Sequence, residues 1–198
     1  MTPLNSAFLP FFASLNARTH APNHARTQAI VWDEIWNHFG TALNKSATVI
    51  NTRFNPNQAP GRIMCVANAT AHGYRVVRSE NIHWYLDKTI DKPWTAQYSF
   101  DLCGDLNASS CKLIIGGAGS MWGETVDAAD IISTIWPRAG AVGEKLWTAQ
   151  SLSNSSDEAL PRYIAFRCYL NRRGIGAAPA LNTIARTAPQ GPGSCYTQ

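Results

Sequence analysis

Residues 116–147 read GGAGSMWGETVDAADIISTIWPRAGAVGEKLW, and this stretch decides the fold. Just before it, Lys112-Leu113-Ile114-Ile115 runs into Gly116, a short branched apolar segment that predicts a buried strand. After the glycines come Met121-Trp122-Gly123-Glu124, a polar and aromatic crest at the strand's C-terminal end. A helix is predicted from near Asp127 until Pro137, whose ring removes a backbone donor and clashes with the preceding turn. A second helix is predicted from Pro137 to Trp147, where proline suits the first turn. The unit is therefore a strand, a crest and helices.

The same unit recurs upstream. Strands are predicted at Gln28–Trp32, Ala47–Asn51 and Tyr74–Val77, with a helix over Gly61–Ala71 capped by Gly73. A long loop is expected from Asp87 to Ser110, and a last helix over Asp157–Arg173 is stopped by Gly174. Near-continuous apolar strands interleaved with helices predict a parallel α/β sheet of four strands. Each strand ends in chemistry-bearing residues: Trp32-Asp33-Glu34, Arg53, Tyr85-Leu86-Asp87 and the Trp122 crest. In a (β/α)8 barrel that edge carries the active site. Four strands would be a partial TIM barrel, and its two open edges would invite pairing.

Composition narrows the function classes. The 198 residues are 45% apolar, enough for one sizeable core, and only 15% are charged. The net charge of +4 is scattered, with Arg172-Arg173 the only adjacent basic pair, which argues against nucleic-acid binding. No apolar run approaches the roughly 18 residues that span a membrane. Ala7 to Leu15 is apolar but interrupted by Pro10 and preceded by no Lys or Arg, so it reads as a helix remnant whose beginning lies upstream rather than as a signal peptide. Seven Trp residues suit packed strands or a sugar site. Sequons begin at Asn44, Asn68, Asn107 and Asn154, a hint of secretory passage and glycosylation. Cys103 and Cys111 close a short polar loop, Cys168 lies on the last predicted helix and Cys195 in a Pro/Gly-rich tail. Two disulfides with Cys65 left over suit an oxidising compartment, and buried free thiols are the alternative. No Cys-x-x-Cys spacing occurs, and Pro22 between His20 and His24 spoils a helical ligand face, so no metal is expected.

The Met-Trp-Gly-Glu core followed by WPRAGAVGEKLW at 136–147 resembles the final barrel strand and following helices of glycoside hydrolase family 20, the β-N-acetylhexosaminidases. Three other segments agree in order. IVWDEIW at 30–36 resembles the family's fifth strand, NIHWYLD at 81–87 the end of its seventh, and FRCYLNRRGIGAAPALN at 166–182 its C-terminal helix. The resemblance implies that residues 27–183 are the C-terminal half of a catalytic barrel, roughly strands five to eight plus C-terminal helices. Residues 1–26 match weakly, and 184–198 form a tail tied by a disulfide. A Cys following Phe-Arg, here Cys168, pairs in that family with one near the C-terminus, here Cys195.

The resemblance implies hydrolysis of terminal β-linked N-acetylhexosamine, GlcNAc or GalNAc, with the substrate's acetamido oxygen as nucleophile, an exception to the two-carboxylate rule. No cofactor is implied. Trp32 matches an aromatic wall of the acetamido pocket and Tyr85 the phenol that holds the acetamido oxygen. Asp87 matches the binder of an outer hydroxyl, O6. Trp122 matches the platform under the ring, and Glu124 the carboxylate that grips O4. Two departures stand out: Arg53 follows the strand where the family has a pocket Trp, and Ala118 stands where it has Glu. A charge in that wall needs a partner. No match to the family's Asp-Glu catalytic strand is found before residue 27, and Asp33-Glu34 sits in the context of a later strand. Glu144 is expected in a structural ion pair. The chain is thus expected to be a fragment without the catalytic acid, inactive alone, from a lysosomal or extracellular enzyme. The alternative is a non-catalytic secreted product that binds glycans or dimerises with a full-length family subunit.

Overall fold

A computed structural model describes residues 28–53, 65–88, 93–104, 106–149, 155–181 and 195. Four strands, β1 (Ala29–Trp32), β2 (Thr48–Thr52), β3 (Arg75–Arg78) and β4 (Ile114–Gly117), alternate with helices. The helices are α1 (Asp33–Phe39), α2 (Cys65–Ala71), α3 (Trp94–Tyr98), α4 (Ala108–Cys111), α5 (Ile131–Ile135), α6 (Arg138–Trp147) and α7 (Ser156–Arg172), with a 3-10 turn at Gly40–Ala42. The sheet order is β1-β2-β3-β4 and every pairing is parallel, so the α/β expectation holds. Parallel neighbours require long crossovers, and the helices supply them.

One sheet face is packed. Val31, Ile50 and Val76 meet Trp36 of α1, Ala69 of α2, Leu43 and Tyr74 in a single core. Tyr74 buries its ring edge-on against Trp36 at 4.8 Å and satisfies its hydroxyl by donating to the Leu43 carbonyl at 2.7 Å. The other face carries Ile30 and Ile115, 64% and 52% exposed, beside a partly exposed Trp32. Alternation along each strand separates these faces. A second core joins α3, α6 and α7, with Trp94 stacked on Tyr163 at 4.1 Å. A third gathers Trp84, Leu86, Phe100 and Val142 beneath the strand ends.

Several boundaries differ from expectation. β1 ends at Trp32 as expected, but Asp33 and Glu34 begin a helix, α1, that was not expected there; two acids favour the positive end of a helix. The Asp87–Ser110 connection contains α3 and α4. Asn107 caps α4 by accepting from the Ser110 amide at 2.9 Å. The helix expected from Asp127 starts at Ile131, since the Asp127 and Asp130 side chains accept backbone amides and hold a turn instead. Pro137 caps α6 rather than entering it. Residues 61–64 of the predicted helix, along with His20, His24 and Asn154, lie outside the described residues. Among the described residues, no helix is long and apolar enough to cross a membrane.

α7 ends as its sequence requires. Gly174 adopts φ 78°, and the Ile175 and Gly174 amides donate to the carbonyls of Leu170 and Asn171, a Schellman closure. Both expected disulfides form: Cys103–Cys111 with Cα atoms 5.2 Å apart, and Cys168–Cys195 at 5.5 Å, 27 residues apart in sequence. Buried Arg167 strengthens the second junction by donating to the carbonyls of Ala178 and Cys195. Closing a loop of that length predicts that Cys168→Ser costs roughly 3.5 kcal/mol through the unfolded chain. Urea titration of both proteins measures it, and a shift below about 1 kcal/mol would mean the tail contributes no such constraint.

Candidate functional site

The strands deliver their last residues to one edge. Beyond β3 the chain turns at Glu80–Trp84, with the Trp84 amide donating to the Glu80 carbonyl at 2.8 Å. It then runs beside the extension of β4. Tyr85 bridges Ser120, the Leu86 amide donates to the Ser120 carbonyl, and the Ser120 amide to the Trp84 carbonyl, each at 2.8 Å. This short ladder brings Tyr85 and Trp122 together, their ring centroids 6.2 Å apart and their planes at 39°. Tyr85 is buried, Trp122 is 38% exposed, and the Lys88 ammonium lies over the Tyr85 ring at 5.4 Å.

Asp87 follows two residues later. Its neighbour Leu86 is fixed through its carbonyl, which accepts from the buried Arg138 at 2.5 Å. Asp87 is 4% exposed, yet both carboxylate oxygens lack a hydrogen-bond partner among the described residues. A buried carboxylate in that condition is costly unless something else meets it. Glu124 stands in solvent at the outer end of the same crest.

Trp32 sits apart, with different company. The Arg53 guanidinium lies 5.3 Å over its ring, ion-pairs with Glu34, and approaches Asp33 at 3.7 Å. Asp33 is almost fully buried. The partner that Arg53 needs is thus the very acid pair that invites a catalytic reading. Past the strand ends the Ser79 and Asn81 amides donate to the Thr52 and Arg53 carbonyls at 2.7 and 2.9 Å, lacing this half of the edge to the other.

The sequence reading passed over one cluster. Buried Arg78 and Glu80 pair at 2.6 Å, and the other oxygen of Glu80 meets His83 at 3.0 Å. His83 stacks on Phe100 at 4.6 Å, and Arg78 donates to the Leu102 carbonyl at 2.6 Å. Burial pushes the Glu80 carboxyl up, but hydrogen bonds from His83 and the charge and hydrogen bonds of Arg78 outweigh it and hold it below the usual range. The cluster braces the turn from which Tyr85 projects. Its only sequence signal is Arg78-x-Glu80-x-x-His83 directly after an apolar strand. Glu144 accepts from Arg162 at 2.6 Å and from the Tyr98 hydroxyl at 3.2 Å, the structural role expected of it. Of the sequon residues, Asn107 is exposed, Asn44 is half-buried and accepts from Ser46, and Asn68 lies on α2.

The sequence profile described as "Glycosyl hydrolase family 20, catalytic domain" matches residues 4–150. Among curated proteins, the chain is 42% identical over 171 residues to Beta-hexosaminidase 1 of Arabidopsis thaliana, covering 84% of this chain and 30% of that protein. It is 34% identical to Beta-hexosaminidase subunit B2 of Dictyostelium discoideum, covering 85% of this chain and 28% of that one. The chain therefore spans about a third of the length of the curated relatives it matches. Among solved structures, the family 20 β-N-acetylhexosaminidase of Streptomyces coelicolor superposes with TM-score 0.65 at 19% identity, over 80% of this chain and 33% of that one. The Vibrio harveyi exo β-N-acetylglucosaminidase, solved with N-acetylglucosamine, gives 0.63 at 21% identity, over 78% and 25%. At such identities these likenesses speak for the fold.

Proposed function

The chain belongs to glycosyl hydrolase family 20, and from that premise we propose that its strand-end crest is half of a pocket for a terminal β-linked N-acetylhexosamine. The four strands are the C-terminal half of a (β/α)8 barrel. The whole enzyme hydrolyses the glycosidic bond with the substrate's acetamido oxygen as nucleophile. Tyr85 holds that oxygen where it can attack, which converts binding into orientation. Trp122 stacks on the C–H face of the ring, while Asp87 and Glu124 accept from outer hydroxyls. Trp32 walls the acetamido side. The proton-transferring Asp-Glu pair is not among residues 1–198. Two disulfides and three described sequon positions support a secretory route, to a lysosome or the outside, and other family subunits are the dimer partners of that enzyme.

Asp87 carries the proposal: a buried carboxylate beside the Tyr85–Trp122 pair whose oxygens are unmet by the described residues. Sugar hydroxyls are the donors that would complete it. GlcNAc titrated into the protein and followed by NMR is expected to shift the Trp122 indole resonance. Both Trp122→Ala and Asp87→Ala are expected to weaken binding about tenfold, the equivalent of ~1.4 kcal/mol. Equal affinity in all three proteins would remove the crest from consideration as the sugar site.

A further inference from the structure

Arg78, Glu80 and His83 take no part in the chemistry proposed above, yet Arg78 and Glu80 are 7% and 4% exposed. Both carboxylate oxygens of Glu80 are engaged, one by Arg78 at 2.6 Å and the other by His83 at 3.0 Å. The Glu80 carbonyl also accepts the Trp84 amide at 2.8 Å, so this residue closes its turn with side chain and backbone together. A buried ion pair is weak evidence for stability, because apolar residues of similar volume often serve as well. Its better-attested use is to specify one arrangement over others. Resting on the sugar-site reading, we infer that Glu80 is a positioning residue for that site. Through Arg78 and His83 it fixes the turn that aims Tyr85 at Trp122.

The path from Glu80 to the site is short. The turn ends at Trp84, and Tyr85 is the next residue. On one side Tyr85 is held by the ladder to Ser120, in which the Trp84 carbonyl and the Leu86 amide both take part. On the other side it is held by the turn, and the turn is anchored outside itself. Arg78 donates to the Leu102 carbonyl at 2.6 Å, and its guanidinium lies 4.8 Å over the Phe100 ring, on which His83 is stacked. The turn is thus clamped to the segment that follows α3, just ahead of the Cys103–Cys111 disulfide. Glu80 does not need to reach the sugar, since both its oxygens already face protein partners. A residue held this way raises affinity by keeping the binding-competent arrangement populated.

The test reads the ring pair directly and the sugar separately. With centroids 6.2 Å apart, the Tyr85 and Trp122 rings are expected to show a nuclear Overhauser contact in the sugar-free wild type, and Glu80→Ala is expected to lose it. GlcNAc affinity is expected to fall about tenfold in Glu80→Ala, as when the competent arrangement drops to about a tenth of its population. His83→Ala leaves the Arg78–Glu80 pair in place and is expected to weaken binding about threefold. It decides the matter should Glu80→Ala fail to fold. Cys168→Ser is the control for stability alone: it loosens the tail junction and is expected to leave both the ring contact and the affinity unchanged. Brace variants with the ring contact and affinity of the wild type, or an equal loss of both in Cys168→Ser, would overturn the positioning role. If the wild type binds no GlcNAc, the ring contact still decides for or against Glu80, and only the sugar-site reading falls.

Discussion

Replacing Trp84 by alanine is expected to destabilise the fold by about 4–5 kcal/mol, the upper end of the range for a large aromatic truncated in a core. Trp84 is fully buried at the centre of the core beneath the crest, edge-on to Phe100 at 5.1 Å, with its indole N–H donated to the Gln97 carbonyl at 3.0 Å. The surroundings are poorly able to collapse into the hole. One wall is the backbone of β4, where Gly117 leaves so little room that a Cβ there would lie 2.1 Å from the Trp84 ring. Another wall is Phe100, itself held by His83 stacked on it at 4.6 Å and by the Arg78 guanidinium 4.8 Å over its ring. The loss should also reach the site, because the Trp84 carbonyl accepts the Ser120 amide that aligns Tyr85 with Trp122. Trp84→Phe keeps most of the volume and is expected to cost less than half as much. Urea unfolding of the three proteins separates these outcomes. A cost for alanine under about 2 kcal/mol would mean that Trp84 does not hold this core together.

How much of this was legible in the sequence differs from element to element. Strands β1 to β4 were legible because each is a short branched apolar run bounded by polar or glycine residues, and burial on a parallel sheet demands that pattern. The Tyr85–Trp122 meeting followed from placing each just past a strand end. α1 was missed because its seven residues are barely two turns, although acids directly after the strand's end at Trp32 were the available signal of a helix start. α3 and α4 are one-turn helices, too short to display a period of 3.6. The Arg78–Glu80–His83 brace depends on a turn that no local pattern announces. Arg53 was recognisable as a charge needing a partner, but that Asp33 and Glu34 supply it depends on α1 and the end of β2 lying side by side.

That pairing bears on catalysis. A departing sugar oxygen must be protonated as its bond breaks, and general acid catalysis is worth on the order of 10²–10⁴ in rate. In the proposed substrate-assisted mechanism the acetamido group further needs a carboxylate to orient it. Asp33 and Glu34 are the only adjacent Asp-Glu pair in the described strand-end crest, and Arg53 ion-pairs with Glu34 and approaches Asp33 at 3.7 Å, so both carboxylates already face a side chain of the protein. In the proposed site, the groups around Tyr85, Asp87, Trp122 and Glu124 would bind hydroxyls and stack the ring, which lowers substrate and transition state together. The most direct measurement is the turnover of a chromogenic β-N-acetylglucosaminide by the folded polypeptide of residues 1–198. No turnover above the uncatalysed rate is expected. Turnover within about tenfold of a full-length relative, abolished by Glu34→Gln, would contradict the account and make Asp33-Glu34 the catalytic pair.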